Sequence, residues 1–238
     1  MTKRVQKIIA DTGRRILVPE GLFRKGSSRI WLEDHGFYLI QVEFQPSAYA
    51  KGAYLNVGVS FLFQYTDGLN ETLPYHIGGR IAEFMEYRDD ESFRKEMEQY
   101  VEKAMEKVRE FRELESFEAA GEVLQKQIQN KGTDRFCWEM YELAMLDFLS
   151  GDWMKGKRML TVTMESLDRN YVWGRHTTPW LAEVYDICEN CLTQCETRES
   201  AQKMVEDMIN RRRSYFMSKA SFRKMKRIYS APELSGEP

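Results

Sequence analysis

No apolar run in this chain approaches the roughly 18 residues that mark a membrane-spanning helix. The basic start, MTKRVQKIIADTGRR, loses its apolar character at Asp11. That is short of the apolar stretch of about 7–15 residues in a secretory signal, so none is expected. Cysteine is scarce, and three of the four cysteines fall within eight residues of each other. A secreted disulfide framework would spread them along the chain, so the expectation is reduced thiols and a cytoplasmic location. Neither charge sign dominates: 35 Lys and Arg against 37 Asp and Glu give a net charge of −2. There is no global pull toward nucleic acid or acidic membranes. The sequence has no G-x-S-x-G, no H-E-x-x-H and no G-x-G-x-x-G, and its Gly78-Gly79 pair lacks phosphate-loop spacing. No cofactor is implied and no catalytic residue can be named.

What is present is ordinary for a folded chain: 42 % hydrophobic and 30 % charged residues over 238 positions, enough for one large or two small cores. Charge is placed unevenly. Residues 1–30 carry eight basic and two acidic side chains, residues 83–122 fourteen acidic and seven basic, and residues 211–228 eight basic and no acidic ones. Solvated faces of opposite sign on one molecule account for this pattern.

Periodicity divides the chain. Residues 2–12 suit a short helix carrying Val5, Ile8 and Ile9, stopped at Gly13. Residues 28–33 and 37–45 are aromatic and β-branched around Asp34-His35-Gly36, a hairpin signal. From Tyr54 to Gln64 the pattern alternates: Leu55, Val57, Val59, Phe61 and Phe63 on one side, Asn56, Gly58, Ser60 and Gln64 on the other. Residues 66–70 are turn chemistry, and 81–87 suit a fourth strand. The connections are too short for parallel crossovers, so an antiparallel sheet of about four strands is predicted. Asp90 then suits an N-cap, and Phe93, Met97, Tyr100, Val101, Ala104, Val108, Phe111 and Leu114 step by three and four, predicting a long amphipathic helix. After a break at 130–132 come helices over 136–149, 153–167, 179 onward, 199–217 and 221–229. Gly151-Asp152 makes the first turn, and Pro179 takes a first helical position.

The fold class is therefore α+β: residues 1–88 a helix plus an antiparallel sheet, residues 89–230 helices packed on it, and residues 231–238 a frayed tail. The boundary near 89 lacks Gly and Pro and reads as a seam within one core.

Three constellations bear on chemistry. Cys188, Cys191 and Cys195 have a C-x2-C-x3-C spacing that suits zinc or an iron–sulfur cluster. They also continue the helical stripe of Trp180, Leu181, Val184 and Tyr185, so core packing without metal is expected. Arg175 and His176, between Trp173 and Trp180 at a helix start, suggest an anion pocket; the plainer account is a loop whose Trp residues plug a core. The polar sheet face carries Asn56, Ser60 and Gln64, and Trp31, Gln41, Glu43 and Gln45 all join it only in one register. The face suits a ligand groove or simply the wet side of the sheet.

Two local patterns resemble a known family. They are Gly21-Leu22-Phe23-Arg24-Lys25-Gly26, followed by Val42 to Ser47 and Leu55 to Val59, and then Leu143-Ala144 through Phe148 to Asp152. Together they resemble the uncharacterised bacterial family catalogued as domain of unknown function 4304, over about residues 5–165, on Phe23, Gly26, Phe44, Gln45 and Ser47. The resemblance implies a small sheet domain followed by helices and implies no reaction. Residues 141–160 also resemble one tetratricopeptide unit, two helices meeting at a Gly-Asp turn with Gly156 at the crossing. No second copy follows, so a superhelix is not expected.

The functional expectation is a cytoplasmic protein-interaction or regulatory module that meets another protein through its helical half. One alternative is a small-ligand binder or enzyme using the 173–180 loop or the polar sheet face. A second is weak nucleic-acid binding through Arg211, Arg212, Arg213, Lys219, Arg223, Lys224, Lys226 and Arg227. These cations alternate with aromatics that step by three toward a core, and an acidic helix stands available as an internal partner, so nucleic acid is an unlikely ligand.

Overall fold

The structure is a computed structural model that describes residues 3–63, 70–131, 137–169 and 174–225. It divides into two compact units, one of residues 1–61, 70–113 and 213–231, the other of 62–69, 114–212 and 232–238.

The first unit holds α1 (Lys3–Ile16), a five-stranded sheet and α2 (Asp90–Arg112). The strands are β1 (Phe23–Arg24), β2 (Ile30–Asp34), β3 (Tyr38–Pro46), β4 (Gly52–Phe61) and β5 (Ile77–Glu86). They pair in chain order, each antiparallel to the next. This is one strand more than predicted, because the two-residue β1 is too short to show a period. The last strand also starts at Ile77, ahead of the predicted Ile81. Register sorts the two faces. Val57 lies opposite Val42, Leu55 opposite Phe44, and Trp31 opposite Val42, so all of these share the apolar face. Trp31 is thus a core residue and not part of the polar face. Its ring meets Phe44 edge-on at 5.7 Å. α2 lies against β3, β4 and β5, and α1 against α2. The stripe Phe93, Met97, Val101, Ala104 and Val108 is buried there. The helix that follows residue 89 therefore belongs with the sheet.

The α2 cap is Asp89, one residue earlier than predicted. Its carboxylate accepts from the N–H groups of Glu91 and Ser92 at 3.0 and 2.9 Å. Asp90 instead takes Arg4 at 2.7 Å and the Tyr87 hydroxyl at 2.7 Å.

In the second unit α3 (Phe117–Lys131), α4 (Cys137–Ser150), α5 (Trp153–Arg169) and α6 (Pro179–Gln194) pack each on the next. α7 (Arg198–Met217) begins in this unit and ends in the first. The break before α3 has no Gly or Pro to announce it. Ser116 Oγ accepting from Ala119 N–H at 3.1 Å is the local start signal. The Gly-Asp hairpin forms as expected: Gly151 takes φ +83, and Gly156 packs so closely on Phe148 that a Cβ would lie 2.5 Å from its ring. In place of a helix over 221–229 there is a 3₁₀ turn at Ala220–Phe222; residues 226–229 and the predicted tail lie outside the described residues.

Candidate anion-binding cleft

The residues singled out above fall in two places, and neither is an open site. Gln41, Asn56 and Ser60 do share a sheet face, but all three are buried. Residues 70–76 cross that face. Gln41 Nε2 donates to Ser60 Oγ at 3.3 Å and to the Leu73 carbonyl at 3.0 Å, and Ser60 Oγ donates to the Pro74 carbonyl at 2.5 Å. Asn56 Nδ2 donates to Glu43 at 3.2 Å and Gln45 at 3.0 Å, and the Tyr75 hydroxyl donates to Glu43 at 2.9 Å. Burial, with the Glu43 charge adding to it, drives the Tyr75 hydroxyl well above its ordinary pKa. The face is covered, not wet; only Gln45 stays exposed, taking a 3.2 Å hydrogen bond from Arg80.

In the second unit Arg175 stacks over Tyr185, 3.8 Å from the ring centre, and its Nε meets the Asp168 carboxylate. His176 Nε2 lies 3.5 Å from the same oxygen. The charge that would hold an anion there is already answered by Asp168. Trp173 lies outside the described residues. The cysteines are packed inside. Burial pushes the Cys191 thiol up to about 12 and Cys195 and Cys137 to about 11, and Cys188 moves in the same direction. Among the described residues no three His, Cys, Asp or Glu side chains gather where they could hold a metal ion.

Of the arginine run at 211–213, Arg212 and Arg213 are likewise absorbed, and Arg211 stays exposed. Arg213 forks onto the buried Asp34 at 2.6 and 2.5 Å, and Arg212 is buried. Beside Asp34, the buried Glu33 takes His35 at 2.7 Å and Arg112 at 2.9 and 2.7 Å. Burial alone would raise the Glu33 carboxyl; the hydrogen bonds from His35 and Arg112 outweigh it and hold the group below its usual range.

A cleft of about 1170 Å³ lies at the β1 edge of the sheet and was not singled out from the sequence. Its walls come from the end of α1 (Arg14, Val18), the approach to β1 and the turn after it (Gly21 to Arg24, Gly26, Ser27), Trp31, and the 3₁₀ turn with Arg223 and Lys224. Local chemistry builds each wall. Gly21 at φ +102 donates to the Val18 carbonyl at 3.1 Å and turns the chain from α1 into β1. Gly26 at φ +55 donates to the Ser221 carbonyl at 2.8 Å and so ties the C-terminal wall to the N-terminal one. Phe222 anchors that wall, stacked on Phe216 at 4.4 Å, while Ser221 Oγ donates to Glu71 at 2.6 Å.

The cleft lining is basic throughout: Arg14, Arg24, Arg223 and Lys224, with no acidic residue. Arg24 is aimed by two carbonyls, Ser28 on its Nε at 2.6 Å and Ser27 on one Nη at 2.8 Å. Its ion lies 5.5 Å over the Trp31 ring. Burial, then repulsion from Arg14 and Arg29, pulls Arg24 below its ordinary value. Arginine stays charged at neutral pH even so. Arg14 reaches Asp11 at 3.4 Å, a marginal contact. Arg223 and Lys224 are exposed and make no hydrogen bond or ion pair among the described residues. The Trp31 indole N–H, buried beside the cleft, has no acceptor among the described residues. Leaving such a donor unmet costs about 1–3 kcal/mol.

No family model matches the chain, and no curated protein or solved structure matches it. The likeness to the family of unknown function therefore rests on the residues quoted for it alone.

Proposed function

We propose that the protein is a binding module whose sheet unit takes a small anionic ligand in the cleft between the end of α1 and the 3₁₀ turn at 220–222. The observation that carries this is the surplus of charge. Other prominent ionic groups of this unit are matched, Arg213 by Asp34, Arg112 by Glu33, Arg4 by Asp90 and Arg15 by Glu98. The cleft lining holds four cations and no acid, and of the four only Arg14 has an ion-pair partner among the described residues, the marginal 3.4 Å contact with Asp11. Like charges held together without a counter-ion are unfavourable by themselves and favour an anion that joins them. A thermal-shift series with sulfate, phosphate and citrate at constant ionic strength tests the proposal. Stabilisation by these anions that disappears in the double variant R223A/K224A supports it. Stabilisation that is equal in both proteins, or absent, rejects it.

A second reading, contact with another protein through the helical unit, is favoured by exposed apolar side chains there. Met154 and Val162, two turns apart on α5, are 66 % and 42 % exposed, and Trp180 on α6 is 46 % exposed. A single stoichiometric partner retained by the wild-type chain and lost by M154E/V162E is the supporting result.

A further inference from the structure

The geometry points to a ligand with two or more phosphate groups on a compact body, bridging the two walls of the cleft. This rests on the anion-binding proposal and specifies its ligand. The first argument is charge. A phosphate monoester carries about −1.5 to −2 at neutral pH. One such group leaves about half of four cations unanswered; of the acids nearby, Asp11 makes only the marginal contact with Arg14, and Glu71 is engaged by Lys25 and the Ser221 hydroxyl. The second argument is placement. Arg14 and Arg24 come from the α1–β1 side, Arg223 and Lys224 from the C-terminal side. Arg24 is held by the Ser27 and Ser28 carbonyls, and the C-terminal wall is held by the Gly26–Ser221 hydrogen bond and the buried Phe222. The backbones of both walls are thus fixed, so a ligand with an anionic group for each wall answers the cations of both. The third argument is room: about 1170 Å³ is far more than a lone phosphate fills. Guanidinium forks suit phosphate oxygens, and Lys224 adds a point charge.

This chemistry has two sources, a free polyphosphorylated solute and a bisphosphorylated lipid headgroup. Calorimetric titration of the full chain with orthophosphate, pyrophosphate and tripolyphosphate, at constant ionic strength and without divalent cations, tests the shared chemistry. Affinity is expected to rise at each step. Losing one cation should weaken tripolyphosphate binding by roughly tenfold, the equivalent of one charge-assisted hydrogen bond. The variant R14A removes a cation from one wall and R223A from the other; both side chains are exposed, so unchanged melting of each free variant shows it folded. Weakening by both is the expected result. Co-sedimentation with phosphatidylcholine vesicles containing a bisphosphorylated inositol lipid, and not with plain ones, assigns the groups to a lipid. Tripolyphosphate binding without co-sedimentation assigns them to a solute, and both outcomes support the inference. Equal affinity for orthophosphate and tripolyphosphate, with both still sensitive to R223A, overturns the bridging ligand and leaves the anion site standing. Response to only one wall also overturns it, as does tighter binding of single-stranded RNA than of tripolyphosphate. No binding of any of the three overturns both this inference and the proposal beneath it.

Discussion

Replacing Arg112 by Ala leaves Glu33 buried with one of its two side-chain hydrogen-bonding partners, the guanidinium, gone. Glu33 is fully buried, and Arg112 gives it two hydrogen bonds at 2.9 and 2.7 Å, with a third to the Glu20 carbonyl at 2.6 Å. Breaking a buried pair by deleting one partner costs about 3–5 kcal/mol, because the remaining charge keeps its desolvation penalty. The pH dependence follows from the direction of the Glu33 shift. In the wild type the folded pKa is depressed. Its contribution is therefore present above the unfolded value of about 4.3 and is lost as pH falls through the lower folded value. In the variant burial dominates and raises the folded pKa. That carboxyl favours the folded state while it is protonated, at low pH, and opposes it once ionised. The gap between the two proteins should be largest near pH 7, narrow as pH falls through the variant's raised value, and close below the wild type's depressed one. Urea unfolding at a series of pH values measures it. The double variant R112A/E33Q should recover part of the loss at pH 7, since a neutral amide needs no counter-charge. A loss under about 1 kcal/mol at pH 7, or a gap that does not change with pH, would refute the assignment of this pair as a buried structural one.

The other predictions concern packing and reactivity. Gln41→Ala and Asn56→Ala should each lower stability by about 1–3 kcal/mol in urea unfolding, since each strands buried partners; no change would return the polar face to solvent. Gly13→Ala should destabilise by about 1–3 kcal/mol, because a Cβ there would sit 2.3 Å from the Trp31 ring. The usual gain from Gly to Ala in a helix, about 1 kcal/mol, would show that the ring can move aside. The four cysteines should resist a thiol-reactive dye at pH 8 in the native protein and react promptly in urea, since all are buried with raised pKa values. Fast labelling of the native protein would contradict their packing.

Elements with a strong period were legible in the sequence. The alternation from Tyr54 and the Phe93–Val108 stripe stand in the structure as a strand and a helix. Where signal came from a cover or a distant partner, it was not. The polar face reads as wet because alternation shows which residues share a side but not what crosses it, and residues 70–76, which cover Gln41 and Ser60, have no period of their own. The face of Trp31 stayed open in the sequence because a two-residue period needs a register, which the β2–β3 pairing supplies. The cleft was beyond reach for a different reason. Arg14 and Lys224 stand at opposite ends of the chain, and only the fold joins them. Its one trace in the sequence is the pair of basic segments at 1–30 and 211–228. The acidic α2 takes Arg4 and Arg15 from the first of these, and Asp34 takes Arg213 from the second. Of the cations left over, Arg14, Arg24, Arg223 and Lys224 line the cleft.

A crystal structure of the full chain grown with pyrophosphate tests the central claim most directly. Density for the anion is expected at the β1 edge, within about 3 Å of nitrogens of Arg24 and of Arg223 or Lys224, which is hydrogen-bonding distance. Crystals that contain pyrophosphate elsewhere on the protein, with the cleft holding only water, would contradict it.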